Sequence, residues 1–300
     1  MKRTDYVFGA LFAAAGALCW SLGGALVRLT HGIDPWQIIF YRSITVLLCM
    51  GLWLGVQYGR RLPAVMAHAG VNGVISGIAI GIAGLTFIFS LFYTTVAQAI
   101  FMTGFAPFFS AVIAWLLLRE AIPGITWLAM TIAIAGLAVM LIGGGADGSV
   151  PGTVLAIYSA FCFSCYAVLL RWGKASDMNV ALIWNALFLI LVSAAVLGIA
   201  TPLRPGSGLA AFAVGWSNLV WIIIMGAVQL TLGLALFTMG SKSVPAAQLS
   251  LLALVEPSFA PVWVFMVSRE QPPVWTFIGG GIIMTAVGLQ AIFASRSRLS

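Results

Sequence analysis

The sequence predicts an all-α integral membrane protein, and composition and apolar patterning are the observations that predict it. Hydrophobic residues make up 62% of the chain, charged residues make up 7%, and the mean hydropathy is +1.11. Such a composition is too apolar for a water-soluble fold. Apolar runs of about 20 residues, each able to cross roughly 30 Å of hydrocarbon as a helix, follow one another along the chain. Because lipid offers no hydrogen bonds to the backbone, these runs must be helical.

The apolar runs divide into ten predicted spans. The first is kept as a membrane helix because no cleavage site with a polar mature segment follows it, and the apolar pattern resumes at Trp36. No soluble domain has room between the spans. In chain order the predicted spans are 8–28, 36–57, 72–93, 97–118, 124–143, 152–171, 180–200, 218–238, 246–267 and 274–293.

The placement of lysine and arginine predicts the orientation, because loops rich in these residues stay in the cytoplasm. With the N-terminus inside, ten of them fall on the cytoplasmic side and four on the other side, so we predict that both termini are cytoplasmic. The net charge of +7 follows from this topology. It does not indicate nucleic-acid binding, because no basic stripe with interleaved exposed aromatic residues is present. The ten are Lys2, Arg3, Arg60, Arg61, Arg119, Arg171, Lys174, Lys242, Arg296 and Arg298, and the four are Arg28, Arg42, Arg204 and Arg269.

All four cysteines lie inside predicted spans. Cys162 and Cys165 form a C-x-x-C pair, which is typical of redox or metal sites in other settings. No histidine is near them in the sequence, so we assign packing roles and predict no disulfide, no metal site and no cofactor. The other two cysteines are Cys19 and Cys49.

The second half of the chain repeats the first. At a shift of 143 residues, the segment 9–28 corresponds to 152–171, and Asp34 corresponds to Asp177. At a shift of 150, Pro107 corresponds to Pro257, and the Arg-Glu pair at 119–120 corresponds to the pair at 269–270. We therefore predict two repeats, 1–146 and 147–300, each with five spans.

The odd number of spans in each repeat predicts that the two copies have opposite orientations in the membrane. Many secondary transporters are built from inverted repeats, which form two related half-structures around a midplane site. An old duplication in a receptor, a channel or a membrane enzyme is the alternative interpretation.

The chain resembles a known family in its ten short spans, its two five-span copies, the proline in each fourth span, and the "LLLRE" and "MVSRE" at which those spans end. It is similar to the EamA-type family of the drug/metabolite transporter superfamily, and within it most similar to the YddG-type amino-acid exporters. The resemblance implies a bundle in which four helices of each repeat surround a central cavity, while the fifth and tenth pack outside. It also implies metabolite export. The family often has Glu-Pro in the fourth helix, whereas the first copy here has Ala106-Pro107 and only the second has Glu256-Pro257.

Glu256 is the only acidic residue deep inside a predicted span. A charged carboxylate there would cost roughly 3 kcal/mol on insertion-based scales, which favours a protonated acid or a close cationic partner. We interpret Glu256 as a substrate or coupling residue. The structural alternative is a protonated side chain that bonds a neighbouring helix.

Three prolines inside spans are predicted hinges: Pro107, Pro257 and Pro261. Because proline has no N–H, Pro107 leaves the carbonyl of Thr103 without its helical donor, and Pro257 does the same to Ala253. Irregular backbone at membrane depth survives where protein or water satisfies it, which suits a cavity or a hinge. Ordinary membrane helices also tolerate proline.

Arg42 lies about six residues inside the second span, deeper than Arg28 or Arg171, which reach the head groups. An arginine at that depth either holds a substrate carboxylate in a bidentate pair or pairs structurally with Glu256 or Asp34.

The other substrate-binding candidates are polar or aromatic residues inside spans. Trp20 and Ser21 in the first span correspond to Phe163 and Ser164 in the sixth, and small residues flank both pairs. We predict that these rings and hydroxyls form cavity walls, with a helix-packing stripe as the alternative for the small residues. The remaining candidates are Tyr41, Trp184, Asn185, Gln98, Thr103, Gln229 and Gln248.

Together these features predict a secondary transporter in the inner membrane of a bacterium that exports small metabolites, with aromatic or neutral amino acids favoured by the resemblance. Its predicted partners are a small-molecule substrate and the lipid bilayer. We do not predict an enzyme, because there is no H-E-x-x-H motif and both histidines lie between the predicted spans; nor is a nucleotide expected, since no G-x-x-x-x-G-K loop is present. A passive channel or facilitator for another small solute is the alternative, followed by an intramembrane lipid-handling protein or enzyme.

Overall fold

A computed structural model describes residues 3–30, 32–94, 96–144, 149–174, 176–200, 212–268 and 274–296. Every regular element in these ranges is a helix. The first half contains α1 (Arg3–Ser21), α2 (Gly23–Arg28), α3 (Pro35–Tyr58), α4 (Leu62–Tyr93), α5 (Val96–Thr103), α6 (Ala106–Leu118) and α7 (Gly124–Gly144). The second half contains α8 (Val150–Trp172), α9 (Val180–Ala200), α10 (Trp216–Ile224), a π-helical segment (Met225–Leu232), α11 (Gly233–Ser241), α12 (Ala246–Leu252), α13 (Val255–Ser268) and α14 (Val274–Arg296).

The prediction of an all-helical membrane fold is confirmed. Within the described ranges, nine stretches are long and apolar enough to cross a membrane. One of them, Pro35–Ser90, runs for 56 residues and contains α3 and most of α4, with a 3₁₀ turn at Gly59–Arg61 between the two helices. The second and third predicted spans thus share one apolar stretch. In α4 the helical backbone is interrupted at Gly70, where φ is 52°, close to the predicted start of the third span.

Equivalent aspartates precede the second membrane-spanning helix of each half, which is α3 in the first half and α9 in the second. Asp34 caps α3: its carboxylate accepts the backbone N–H of Trp36 at 2.8 Å, and its own N–H donates to the side chain of Gln37 at 3.1 Å. Asp177 accepts the N–H of Asn179 at 3.1 Å, immediately before α9. Such caps satisfy backbone donors that a helix start leaves free. The two aspartates that the 143-residue shift aligns therefore make similar bonds at equivalent helix starts.

The fourth span of each half is broken in the middle. The break between α5 and α6 lies at 104–105, and the break between α12 and α13 lies at 253–254. Pro107 is in the first turn of α6, where its missing N–H costs nothing, and Pro257 is the third residue of α13. Pro261 lies in the interior of α13. The two repeat-related prolines thus begin new helices rather than bend continuous ones.

One prediction about these breaks is wrong. The carbonyl of Ala253 was expected to lack a donor, but it accepts the backbone N–H of Glu256 at 3.0 Å. At the first break, the N–H groups of Gly104 and Phe105 donate to the carbonyls of Phe101 and Met102, each at 3.2 Å. Tight i to i+3 turns therefore satisfy backbone groups that an α-helix would have bonded one residue further away.

The two halves interleave rather than form separate bundles. Across the halves, α1 packs on α11, α8 packs on α4, α3 packs on α9, and α6 packs on α12. The last helices of the halves, α7 and α14, pack against each other in antiparallel fashion, since Gly136 lies opposite Ile282 and Ile283 while Gly279 lies opposite Met140. A Cβ on Gly136 would lie 2.8 Å from the carbonyl oxygen of Gly279, so this crossing requires glycine. The main core is accordingly shared between the halves.

Candidate functional site

Aromatic rings from both halves meet in the centre of the bundle. The ring centroids of Trp20 and Phe163 are 5.8 Å apart, and Phe237 packs against both at 4.8 Å and 5.5 Å. Tyr166 stacks on Phe237 at 6.3 Å, and its hydroxyl lies 2.8 Å from the hydroxyl of Thr238. The structure thus brings together the two repeat-related aromatics that the sequence singles out.

Phe237 was missed by the sequence analysis. The 150-residue shift aligns it with Phe87, and both positions are phenylalanine, so the repeat register contained a signal for it. Phe237 is fully buried and contacts Trp20, Phe163 and Tyr166. An extended aromatic cluster of this kind accommodates an apolar or aromatic side chain well.

The two repeat-related serines form different hydrogen bonds. Ser164 lies within hydrogen-bonding distance of the carbonyls of Ala106, at 2.8 Å, and Ala160, at 2.7 Å, so it links α8 to the start of α6. Ser21 donates to the carbonyl of Leu18 at 2.6 Å and accepts the indole N–H of Trp263 at 2.8 Å. Both serines are completely buried. In this conformation their hydroxyls connect helices, and contact with a substrate stays a prediction.

Glu256 is the second residue of α13, directly after the break in the ninth predicted span. It is seven residues from Trp263 and therefore shares a face of α13 with that indole. Its side chain is partly buried, and among the described residues its carboxylate has no hydrogen bond and no ion pair. The structural alternative, a bond to a neighbouring helix, is not realised in this conformation.

Arg42 is almost completely buried, with 7% of its surface exposed, and its Nε atom has no hydrogen-bond partner within the described ranges. No ion pair joins Arg42 to Glu256 or Asp34 in that part of the chain. The structural pairing that the sequence left open is therefore not formed. The carbonyl oxygen of Arg42 lies 2.8 Å from where a Cβ on Gly226 would be, so α3 and the π-helical segment meet at this residue.

Several other candidates are buried polar groups for which the described residues offer no hydrogen-bond partner. Such groups are expected to bind water or a solute, because an unpaired buried polar group is costly. The atoms are Trp20 Nε1, Trp184 Nε1, Asn185 Oδ1, Gln229 Oε1 and Gln248 Oε1. Gln229 lies in the π-helical segment, a feature that the sequence did not predict and that is frequent at functional sites.

Three candidates lie apart from this centre or are already engaged. The hydroxyl of Tyr41 donates to the carbonyl of Phe212 at 2.6 Å, in the connection before α10. Gln98 and Thr103 lie on α5 and each makes an interaction within the protein. The structure therefore does not gather all thirteen predicted contact residues at one point.

Polar bonds within the second half and between the halves close the end of the bundle at which α8 and α11 end. Arg171 pairs with Glu120 at 2.9 Å, and its Nη1 donates to the carbonyl of Lys242 at 2.9 Å. Further inside, the hydroxyls of Ser110 and Ser250 are 2.5 Å apart. Between these two layers lies an apolar cluster built on Ala114, Val168 and Ala246. At the same end, the hydroxyl of Tyr58 donates to Asp177 at 2.7 Å.

The cavities in the described part of the chain include a small one and a larger one. One, of about 10 Å³, lies beside Gln248 and Thr126 at the closed end. The other, of about 370 Å³, lies between α6 and α7. Its lining includes the exposed rings of Trp115 and Trp127, so it opens on the outer surface of the bundle. The central cavity implied by the resemblance stays a prediction.

These features define a multi-pass membrane protein with duplicated halves and with buried polar groups on its spanning helices. The chain belongs to the EamA-like transporter family, whose model matches twice, over residues 7–142 and 150–291. One match falls within each predicted repeat. Membership of this family indicates a membrane transporter of small solutes rather than an enzyme. The sequence-based resemblance is confirmed at this level.

Comparison with solved structures supports the fold. One, described only as "Crystal structure of protein", is 18% identical, covers 96% of this chain and 98% of its own, and superposes with a TM-score of 0.75. At that identity the likeness concerns the fold alone. No curated protein matches the chain.

Proposed function

We propose that this chain is a secondary transporter that exports small metabolites, most specifically aromatic or neutral amino acids, across the inner membrane of a bacterium. The observation that carries this proposal is the double match to the EamA-like transporter family, one match in each half. The aromatic cluster of Trp20, Phe163 and Phe237 supports a substrate with an apolar or aromatic side chain. Trp20 itself contributes an indole N–H with no partner in the described residues, which suits the polar end of an amino acid.

Alternating access between inverted halves is the proposed mechanism. The antiparallel packing of α7 on α14 supports it, because equivalent helices that pair in antiparallel fashion are expected when a two-fold axis lies in the membrane plane. The serine that holds each broken helix to the other half supports it too. In this proposal the closed end faces the cytoplasm, in agreement with the excess of lysine and arginine on that side, and both termini are cytoplasmic.

The proposal is tested by exchange across a membrane. Purified protein in liposomes loaded with unlabelled phenylalanine is expected to take up labelled phenylalanine with saturable kinetics, and unlabelled substrate on the far side is expected to accelerate the exchange. Flux that does not saturate and shows no such acceleration would identify a channel or facilitator. Absence of flux across a panel of metabolites would contradict transport and would favour a lipid-handling role.

A further inference from the structure

Arg42 is a buried cation without a counter-ion in the described part of the chain. Its side chain is 7% exposed and its Nε atom donates to no acceptor there. Asp34, the nearest acid along the chain, accepts the backbone N–H of Trp36 and is used as a helix cap. An arginine held in such a place without a partner is strongly unfavourable, and inside a membrane it marks a functional site by default.

The helix that carries Arg42 and the segment packed against it hold further buried hydrogen-bonding groups that have no partner in the described residues. Arg42 lies on the buried face of α3, next to Ser43, whose Oγ is also buried without a partner. α3 packs against the π-helical segment, which approaches at Gly226 and carries the unpartnered Oε1 of Gln229. The residue equivalent to Arg42 in the second half is Asn185, which has no charge. The cation is thus specific to the first half.

We propose that Arg42 binds the carboxylate of a small transported solute between α3 and the π-helical segment. The guanidinium is a planar fork whose N–H groups match the two oxygens of a carboxylate, and its charge is permanent. This inference rests on the proposed transport function and adds the group that selects the solute. A carboxylate is required for binding, whereas an amino group is not required at this point. A lipid phosphate offers similar chemistry, and the experiment separates the two.

The test measures binding by thermal stabilisation of the full chain in detergent micelles. The probes share a phenyl ring: phenylalanine, 3-phenylpropionate, phenylalaninamide and phenethylamine. We expect the two carboxylates to raise the melting temperature and the other two probes to leave it unchanged. Arg42→Gln is expected to abolish the rise without lowering the melting temperature of the solute-free protein. Arg42→Lys, which retains the charge but loses the fork, is expected to weaken binding roughly 10- to 100-fold.

Thr45→Val is the matched control. Thr45 lies one turn further along α3, packs at Gly226, and its hydroxyl bonds only to the carbonyl of Tyr41 within its own helix, at 3.0 Å. This variant is expected to bind both carboxylates as the wild-type chain does. A loss of binding in Thr45→Val equal to that in Arg42→Gln would mean that the packing of α3, not the guanidinium, is being measured, and would overturn the inference.

Two other results would also overturn it. One is a fall in the melting temperature of solute-free Arg42→Gln together with unchanged binding of the probes, which would make Arg42 structural. The other is stabilisation that depends on Arg42 but comes only from added phosphatidylglycerol, which would identify a lipid phosphate as the ligand. If Arg42 is needed for binding of 3-phenylpropionate but no solute is transported, this inference stands and the proposed function fails. If saturable transport of phenylalanine is unaffected in Arg42→Gln, the proposed function stands and this inference fails.

Discussion

The two broken helices share their backbone design and differ in their chemistry. In the first half the break precedes Ala106-Pro107, and Ser164 of the other half donates to the carbonyl of Ala106. In the second half the break precedes Glu256-Pro257, and the equivalent serine, Ser21, bonds the indole of Trp263 instead. The first break is therefore held at its backbone. The second is held seven residues further along α13, and where the first has a methyl group it places a carboxylate that has no partner among the described residues.

This difference shows that the two copies of the repeat have kept the same backbone architecture but carry different functional side chains. Both halves retain the proline and the break, because irregular backbone at membrane depth must be satisfied in the same way in each copy. Only one half carries the acid, and only the other carries Arg42, whose equivalent is Asn185. We therefore expect equivalent substitutions in the two halves to have unequal effects.

The largest expected effect comes from placing the acid in the first half. Ala106 is 5% exposed, so Ala106→Glu buries a carboxylate at the start of α6. We expect a loss of about 3 kcal/mol or more in the free energy of unfolding, measured by denaturation in detergent micelles. The matched variant Glu256→Ala removes a carboxylate that has no partner and is expected to change this free energy by less than about 1 kcal/mol. Equal losses would contradict the asymmetry between the breaks.

The next effect concerns transport rather than stability. The substitution Glu256→Gln replaces the carboxyl group by a neutral amide of nearly the same shape. We expect the variant to fold and the exchange of phenylalanine to lose its dependence on pH, because the titrating group is gone. The measurement is initial exchange rate across a pH series in liposomes, with Glu120→Gln at the closed end as the control acid. An unchanged pH profile in Glu256→Gln would make Glu256 structural.

A smaller effect is expected when the bond that holds the first break is removed. Ser164→Ala leaves the carbonyl of Ala106 without its cross-half donor, which is expected to cost about 1–2 kcal/mol of unfolding free energy. The control is Ser193→Ala, because the hydroxyl of Ser193 bonds carbonyls of its own helix only. If both variants lose the same free energy, the bond to Ala106 contributes nothing specific.

The smallest effect is expected at the ion pair that follows the first broken helix. Glu120 and Arg171 are partly exposed, so a double-mutant cycle with Glu120→Gln and Arg171→Gln is expected to give a coupling of about 0.5–1 kcal/mol. The coupling is expected to shrink at high salt, because solvent-exposed charges are screened. A coupling of zero at low salt would show that the apolar cluster and the two serines close this end without the pair.

Much of the helix layout was predictable from the sequence. The apolar runs 124–143 and 180–200 match α7 and α9 closely, because a membrane-spanning helix needs a run of fixed length. The equivalence of Asp34 and Asp177 is matched by two similar caps, since capping depends on residues within one turn. Irregular backbone near Pro107 and Pro257 was predicted for the same local reason, but as hinges within continuous spans, whereas each span is divided into two helices and the free carbonyl expected at Ala253 is bonded.

The site was less predictable, because it depends on which helices meet. Trp20 and Phe163 were singled out by the repeat, but their contact with each other and with Phe237 requires α1, α8 and α11 to converge. The π-helical segment has no local signature in the sequence. Tyr41 was grouped with the candidates by its position in a span, whereas its hydroxyl bonds a loop carbonyl.

The sequence by itself determined the class of fold, the duplication, and the presence of one acid and one arginine at membrane depth, because hydropathy and repeat register are properties of the chain. Only the tertiary structure decided that Ser164 donates to Ala106 while Ser21 accepts from Trp263, and that Arg42 and Glu256 do not pair with each other. The physical reason is that a hydrogen bond or an ion pair needs two atoms within about 3 Å. Residues on different helices, here 58 to more than 200 positions apart, reach that distance only through the packing of helices against one another.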